Sequence, residues 1–392
     1  EAEAVAASIG YPVLVRPSYV LGGRAMAIVH DREQLVHYME QAVSASPERP
    51  VLIDRFLDDA IEIDVDAVAD GKTCVIGGIM QHIERAGIHS GDSMAVFPAY
   101  NLKVRTAAKV VDYTTRLALA LQVKGMINIQ FVEHNNELYV IEVNPRSSRT
   151  VPFISKVTGL PLVKMATLAA LGRTLAEQGY TGGLQPRPGF YSVKVPVFSF
   201  GKLEQVDVSL GPEMKSTGEV LGMDKSLHIA LYKGMLAAGM HIPDRGTIAA
   251  TIADRDKEQA LPLLQGLARL GYKLVATEGT ACALERLGIA AEPVRKLQEG
   301  SPNIIDLLKC GQVDLIVNTL TQGRSPSRDG FQIRRTAVEL NVPVITSLDT
   351  LQILVEVIRE QRHRRAPACI SLQEYASGDY AWVDTVANPP LA

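Results

Sequence analysis

The chain has little of what most specialised classes of protein require. Four cysteines occur in 392 residues: Cys74, Cys282, Cys310 and Cys369. They are far apart and show no CxxC spacing, which excludes a disulfide framework and a zinc site and predicts reduced core thiols in a cytoplasmic protein. Aromatic residues make up 5% of the chain, too few for a base-stacking surface. Neither sign of charge dominates: 40 basic and 43 acidic residues leave a formal net charge of -3. Nothing therefore draws the chain toward nucleic acid or an anionic membrane. No apolar run approaches the length of a membrane span, no signal-peptide pattern is present, and there is no internal repeat. What is plentiful is ordinary apolar sequence, at 47%, enough for the two or three domains that this length predicts.

The chain opens without Met inside a helical pattern, EAEAVAASIG, which predicts a piece cut from something longer. Its first 170 or so residues mix strands and helices. Strands are expected at 11–16, 25–30, 51–56, 61–69 and 73–84. Helices are expected from Asp31, which with Gln34 makes a capping box, to about residue 46, over 105–121, and again from about 160. Residues 178–189 (QGYTGGLQPRPG) are rich in Gly and Pro and read as a connector. From Gly246 the texture changes. Strands at GTIAATIA, YKLVAT, VDLIVN and PVITS alternate with five helices, at about 255–270, 280–288, 302–310, 331–340 and 349–361. Such alternation predicts a parallel sheet with helices on both faces. Residues 377–392 read as a tail. The expected class is thus α/β, with an N-terminal domain over 1–175, a connector and subdomain over 176–243, and a parallel α/β domain over 244–392.

The most specific signal is residues 125–146, GMINIQFVEHNNELYVIEVNPR. Two alternating runs flank Asn135-Asn136, the pattern of a β-hairpin. Strand side chains alternate faces, so Glu142 and Asn144 point the same way. Gln130 joins them only if it pairs with Glu142, and Asn128 with Asn144. A two-residue turn at Asn135-Asn136 puts Gln130 on the wrong face. A three-residue turn over Asn135, Asn136 and Glu137 puts it right, and an Asn in the left-handed region makes that turn the expectation. The opposite face then carries Ile127, Ile129, Phe131, Tyr139, Ile141 and Val143 as a core row. Oxygen donors beside Pro145 and Arg146 are what a magnesium-nucleotide site needs, and a solvated face explains them poorly.

Other candidates are weaker. The loop 18–24 (SYVLGGR) joins two strands, and Gly22-Gly23 lets backbone N–H groups close over phosphates, although a Gly-Gly hairpin turn is commoner. Arg16 ends a strand and suits a phosphate or a surface ion pair. In 51–62 (VLIDRFLDDAIE) an edge-strand carbonyl and an acid suit adenine and ribose, or are simply a charged loop. In 87–92 (GIHSGD), His89 is a ribose or phosphate neighbour or an exposed loop residue.

RPSYVLGGRAM, GIHSGDS, NIQF and IEVNPRSSRTVPF together resemble the second ATP-grasp half of the large chain of carbamoyl-phosphate synthase. GPEMKSTGEVLG (211–222) is similar to the segment beyond that family's nucleotide site. ATEGTACAL (276–284) and VNTLTQGR (317–324) resemble its allosteric, methylglyoxal-synthase-like domain. The resemblance covers essentially the whole chain, in order. It implies ATP-dependent phosphorylation of carbamate to carbamoyl phosphate, a ligase step in pyrimidine and arginine biosynthesis. It further implies that Gln130, Glu142 and Asn144 hold Mg2+ or Mn2+ and that Arg146 stabilises charge on the moving phosphoryl group. Arg16 is then expected at the nucleotide phosphates, Arg55 and Leu57 along the adenine, Glu62 at the ribose, and Gly87, Ile88, His89 and Ser90 lining the nucleotide. Gly22 and Gly23 become the lid.

The same resemblance implies a regulatory pocket for a phosphorylated nucleotide or sugar at Thr277, Thr280, Lys296, Asn318 and Thr319. The turn 277–280 puts N–H groups and two hydroxyls at a helix N-terminus, which suits a phosphate as well as a plain N-cap at Thr280. NTLTQGR is one residue longer than the NTTSGR of some relatives, which leaves UMP, IMP and phosphoribosyl pyrophosphate open. Glu84, Asp92, Glu219 and Thr346 match an ornithine site of some relatives, with Val344 where those have Tyr. The implied partners are the N-terminal half of the large chain and a glutamine amidotransferase small subunit. Without an upstream pre-domain and that first half, the piece is expected not to make carbamoyl phosphate from bicarbonate. Two other readings remain: another ATP-grasp carboxylate–amine ligase, and an effector-binding module alone. A lyase acting on dihydroxyacetone phosphate has only Asp314 as a candidate base.

Overall fold

The computed structural model describes residues 1–18, 22–45, 50–202, 206–320, 329–362 and 369–377. A small N-terminal layer comes first. Helix α1 (Ala2–Ile9) and α2 (Arg32–Ala45) cover one face of a three-stranded antiparallel sheet, β1 (Val13–Pro17), β2 (Ala27–Val29) and β3 (Val51–Arg55), in order β2-β1-β3. Val13, Val15, Ala27 and Val29 bury against Ala6 and Leu35. Asp31 starts α2 by accepting from the Gln34 N–H at 2.8 Å.

The second layer is an eight-stranded sheet. It is built from β4 (Ile61–Asp70), β5 (Cys74–Arg85), β6 (Ala95–Phe97), β7 (Lys124–His134), β8 (Glu137–Asn144), β9 (Gly183–Leu184), β10 (Tyr191–Phe198) and β11 (Ser216–Asp224). The order is β11-β10-β6-β5-β4-β7-β8, with β9 paired to β5. Helix α3 (Val104–Ala120) covers one face. Its Thr106, Val110, Thr114 and Ala118 recur every four residues and so bury as one stripe. Beneath them lie Ile63, Val65, Ala67, Ile127, Ile129 and Phe131, each large apolar chain contributing about 1.5–3 kcal/mol. On the other face, Val151, Phe153, Ile154 and Val157 of α4 (Val151–Thr158) and Leu162, Met165 and Ala166 of α5 (Leu162–Ala170) form a second core with Val68, Val75 and Met80. The stretch expected as connector thus contributes β10 and β11 to this sheet. Short strand β9 lies within the Gly/Pro-rich segment.

Helix α6 (Leu227–Ala237) packs on β10 and β11 and leads to the third layer, a five-stranded parallel sheet. Its elements are β12 (Thr247–Thr251), α7 (Lys257–Arg269), β13 (Lys273–Thr277), α8 (Glu278–Glu285), β14 (Glu292–Val294), α9 (Ile304–Lys309), β15 (Leu315–Asn318), α10 (Asp329–Glu339), β16 (Val344–Ile345) and α11 (Leu348–Gln361). Strand order is β14-β13-β12-β15-β16. Ile248, Ala250, Leu274 and Leu315 face α7, α8 and α11, while Ala249, Val275 and Ile316 face α9 and α10. In this parallel domain the three-residue β14 has no counterpart among the expected strands. A last short helix, α12 (Leu372–Ser377), buries Tyr375 among the residues of the second core; most of the expected tail lies outside the described residues.

Three expectations are corrected. Only Cys74 is buried; Cys282, Cys310 and Cys369 are exposed. The hairpin has the expected pairs, Gln130 with Glu142 and Asn128 with Asn144, but His134 pairs with Glu137, so the turn has two residues. Asn135 and Asn136 take φ values of 52 and 65, the left-handed pair of a type I′ turn, which matches sheet twist. The extra residue is a bulge at Ile141, between the pairs Phe131–Val140 and Gln130–Glu142. That bulge changes the core row. Leu138 is buried, whereas Tyr139 and Ile141 are 45% and 52% exposed on an edge strand. Among the described residues no single helix is long and apolar enough to cross a membrane.

Candidate functional site

Strand alternation builds the site. Along β4, Ile63, Val65 and Ala67 point to α3, so Glu62, Asp64 and Asp66 point to the other face, where all three are buried. Their neighbours follow from register: Asp64 pairs with Gln130 and Asp66 with Asn128 on β7, and these pair in turn with Glu142 and Asn144 on β8. Four carboxylates therefore share one face. The Asn128 amide donates to Asp64 at 2.6 Å and to Asp66 at 3.0 Å. Asp66 also accepts from Ser148 at 2.6 Å and Thr150 at 2.5 Å, which pins the loop after β8. Asn144 spans that loop: its amide donates to Glu142 at 2.5 Å, and its oxygen accepts from Arg146 at 3.1 Å. The Gln130 amide donates to Ser90 at 3.0 Å.

The electrostatics are unbalanced. Burial, then the charge of Asp64, pushes Glu62 up to about 8. Burial, then Asp66, raises Asp64, and burial raises Asp66 against its hydrogen bonds. The buried cation Lys194 donates to the Ser90 carbonyl at 2.7 Å, and its own pKa is lowered by burial. His82 lies 3.7 Å from Glu62, but burial drives it down to about 3. At neutral pH the two are uncharged neighbours and no ion pair. A cation added there would draw the raised acids toward their charged forms and be held by them, so the face suits one. Among the described residues no group of three or more His, Cys, Asp or Glu is arranged to hold a metal. The expected set fits a hard divalent ion differently, with one carboxylate, Glu142, and two amide oxygens, Gln130 and Asn144.

Of the remaining nucleotide candidates, Ser90 meets this face through its bond to Gln130; Arg16 and Arg55 stand on the small sheet and Gly22 and Gly23 on its loop. His89 donates its N–H to the Gly211 carbonyl at 2.8 Å and accepts the Gly91 N–H on Nδ1 at 3.0 Å. Arg16 pairs with Asp54 at 2.8 Å on the small sheet, with Nε buried and unpartnered. Arg55 ends β3, exposed, and Leu57 follows it half-buried. Gly22 and Gly23 have φ of 64 and 70. A Cβ on Gly23 would lie 2.0 Å from the Pro212 carbonyl, so only glycine lets the loop approach residues 211–214 this closely. Residues 19–21 of the expected lid lie outside the described residues.

A second site forms at the C-terminal edge of the parallel sheet. Thr277 caps α8 without a side-chain bond. Thr280 lies inside α8 and is no N-cap; its hydroxyl accepts from the Ile252 N–H at 3.3 Å. Thr319 accepts from the Ala253 N–H at 2.8 Å. Thr277, Thr280, Lys296, Asn318 and Thr319 line one cavity of about 990 Å³, together with Gly87, Ile88 and Thr346 from the other sets. Residues 321–324 of the NTLTQGR loop are not described. Asp314 lies at the opposite edge of the sheet, accepting the Thr247 N–H at 2.7 Å. It is a strand-start anchor and not a base beside this cavity. Glu84 and Glu219 flank Lys194, but Glu84 bonds Thr350 at 3.0 Å and not Thr346.

Residues 1–178 match the family model described as carbamoyl-phosphate synthase L chain, ATP binding domain, and residues 259–346 match the MGS-like domain. In kind and order these match the C-terminal part of the carbamoyl-phosphate synthase large chain. The acidic face thus lies in the ATP-grasp domain and the cavity at the edge of the MGS-like domain. Among solved structures, the chain is similar to the biotin carboxylase domain of Hydrogenobacter thermophilus 2-oxoglutarate carboxylase, in complex with MgADP, ADP and bicarbonate. There the identity is 19% and the TM-score 0.48, over 60% of this chain and 58% of that one. It is also similar to Campylobacter jejuni biotin carboxylase with β-γ-ATP, at 19% identity and TM-score 0.42, over 50% of this chain and 45% of that one.

Sequence reasoning missed Asp64, Asp66, Ser148, Thr150 and Lys194 in the ATP-grasp domain. The acids at 62, 64 and 66 were legible as an alternating run; Lys194 was not, because nothing local marks β10 as part of the same sheet. In the MGS-like domain it missed Lys257, which donates to the Gly279 carbonyl at 3.0 Å beside the cradle. A lysine starting an amphipathic helix gives no local signal.

Proposed function

We propose that the ATP-grasp domain of this chain phosphorylates carbamate with ATP to give carbamoyl phosphate, and that the MGS-like domain binds a phosphorylated nucleotide or sugar effector. The observation that carries the reading is the register-aligned set Gln130, Glu142 and Asn144 beside Arg146, above the buried acids of β4, in a domain matched to ATP binding. Phosphoryl transfer needs positioning and charge neutralisation more than covalent help. The site offers both and presents no nucleophile. Bound Mg2+ or Mn2+ would supply neutralisation of phosphate charge at Gln130, Glu142 and Asn144. Arg146, held by Asn144, meets charge that develops on the moving group. Glu62 meets the ribose, Arg16 the phosphates, and Gly87, Ile88, His89 and Ser90 line the nucleotide. The Gly22-Gly23 loop keeps water from a labile acyl phosphate. On this reading carbamate is delivered by an N-terminal half of the large chain, fed by a glutamine amidotransferase partner.

Calorimetric titration with MgADP tests the site: binding is expected, with loss in Glu142→Ala, and equal binding by both chains would overturn it. ATP formation from MgADP and carbamoyl phosphate tests the substrate. Formation with acetyl phosphate but not carbamoyl phosphate would replace carbamate by another carboxylate.

A further inference from the structure

Arg334, on α10 of the MGS-like domain, is 5% exposed. It donates through Nε to Asp207 Oδ1 at 2.9 Å and through Nη2 to Asp207 Oδ2 at 2.6 Å. Through Nη1 it donates to Asn318 Oδ1 at 2.5 Å. Asn318, Arg334 and Asp207 all line the anion cavity, so one guanidinium is shared between that cavity and the segment that leads back to β11. A bidentate arginine–carboxylate pair is both directional and strong. Gly330 leaves the room: a Cβ there would lie 3.0 Å from Arg334 Nη1 and 3.5 Å from the Asn318 oxygen.

Residues 207–216 form a strap. Lys215 Nζ donates to the Asp207 carbonyl at 2.8 Å and to the Ser209 carbonyl at 2.5 Å, closing its base. Its far end touches two loops of the proposed nucleotide site. Gly211 accepts the His89 N–H at 2.8 Å, and Met214 donates to the Gly22 carbonyl at 2.9 Å. The Lys215 and Ser216 N–H groups both donate to Asp92, at 2.8 Å each. No other segment among those described bonds both Gly22 and His89 through its backbone. Neighbouring Arg335 differs: it reaches the Phe200 carbonyl and the exposed Glu339 of its own helix.

We infer that the Asp207–Arg334 pair is a positioning device for the nucleotide loops, and that through Asn318 it couples occupancy of the anion cavity to nucleotide binding. The inference rests on the nucleotide and effector sites proposed above. An anion that draws on Asn318 competes for, or tightens, the bond that fixes the guanidinium. The guanidinium fixes Asp207, and Asp207 fixes the strap on which the Gly22 and His89–Asp92 loops hang. Removing either partner leaves a buried charge unpaired, so the strap loosens while the sheets on both sides remain.

Amide hydrogen exchange on the whole chain tests the positioning half without any ligand. In Arg334→Gln, and separately in Asp207→Asn, exchange at His89, Met214, Lys215 and Ser216 should speed up by about tenfold or more, with β4 and β12 amides unchanged. Arg335→Gln should leave these amides as they are. Unchanged protection in either pair variant overturns the inference. Calorimetric MgADP titrations with and without saturating UMP or IMP test the coupling half. In the intact chain one of the two should shift MgADP affinity by about fivefold or more. In Asp207→Asn, which leaves Arg334 and Asn318 on the cavity wall, the same monophosphate and MgADP should each still bind, with no shift. A shift retained in Asp207→Asn, or absent in the intact chain while MgADP binds, overturns the coupling. An intact chain that binds no MgADP speaks against the proposed function instead, and exchange still decides the role of the pair.

Discussion

The chain has two candidate phosphate sites, and they are built by opposite means. On the antiparallel sheet, side chains on one face of β4, β7 and β8 supply oxygen: Glu62, Asp64 and Asp66 buried, with Gln130, Glu142 and Asn144 at the edge. Such a face repels a phosphate unless a cation stands between them. On the parallel sheet the turn after β13 supplies backbone N–H groups at the start of α8, with Lys257 and Lys296 on the cavity wall. That cradle meets an anion directly. The difference follows from secondary structure. A strand paired along both edges, as β4 and β7 are, has no free N–H to offer and presents only side chains. A strand ending in a helix presents its turn. A divalent cation should therefore be required at one site and irrelevant at the other.

The largest expected effect breaks that contrast. Glu142→Ala, or a chelator added to the intact chain, should weaken ADP binding by about 100-fold, with monophosphate binding to the cradle unchanged in the same calorimetric series. Asp66→Ala comes next. It removes the acceptor that holds Ser148 and Thr150, so MgADP affinity should fall by about 10- to 100-fold, with Asp66→Asn recovering part of the loss. Lys257→Ala should weaken monophosphate binding by about tenfold and leave MgADP binding in the absence of monophosphate as it was.

A pH series sharpens the junction between the regions. Glu84 of β5 accepts from the Met94 N–H at 2.8 Å and from Thr350 of α11 at 3.0 Å. It faces Lys194 from β10, Asp349 from α11, and Tyr100. Burial pushes it up from 4.5 to about 7. Between those values the folded chain holds a proton that the unfolded chain has released. This contribution to stability is full at low pH and is lost as pH rises through that window. The urea midpoint should fall across it, and Glu84→Gln should flatten that part of the curve. The smallest effect tests the turn: Asn136→Gly should change stability by no more than about 0.5 kcal/mol. A larger shift, with altered MgADP affinity, would show that turn chemistry and not the Ile141 bulge holds the register.

Local signals carried the N-terminal strands, α3, and the alternation of the C-terminal domain, because period-2 and period-3.6 patterns are written in neighbouring residues. They carried the hairpin pairs too, but not how the pairs arise. Sequence required one extra residue between Asn128 and Asn144 and could not say whether the turn or a bulge absorbed it. Two adjacent asparagines tolerate the left-handed region, so the turn closes in two, and the bulge carries the rest. The strands of 191–224 escaped because β10 also pairs with β6, far back in the chain, and a long intervening segment hides the pairing of β10 with β11.

The sequence by itself determined which residues share a face of β7, that Glu142 and Asn144 of β8 point the same way, and where a turn meets a helix in the parallel domain. These are properties of a few adjacent residues. Only the tertiary structure decided that Lys194 sits under the nucleotide loop, that Asp66 holds the loop carrying Arg146, and that Arg334 joins Asp207 to Asn318. The bonds of Lys194 to Ser90, Ser148 to Asp66 and Arg334 to Asp207 close over 104, 82 and 127 residues, and nothing local prefers one distant partner to another until packing removes the water from between them.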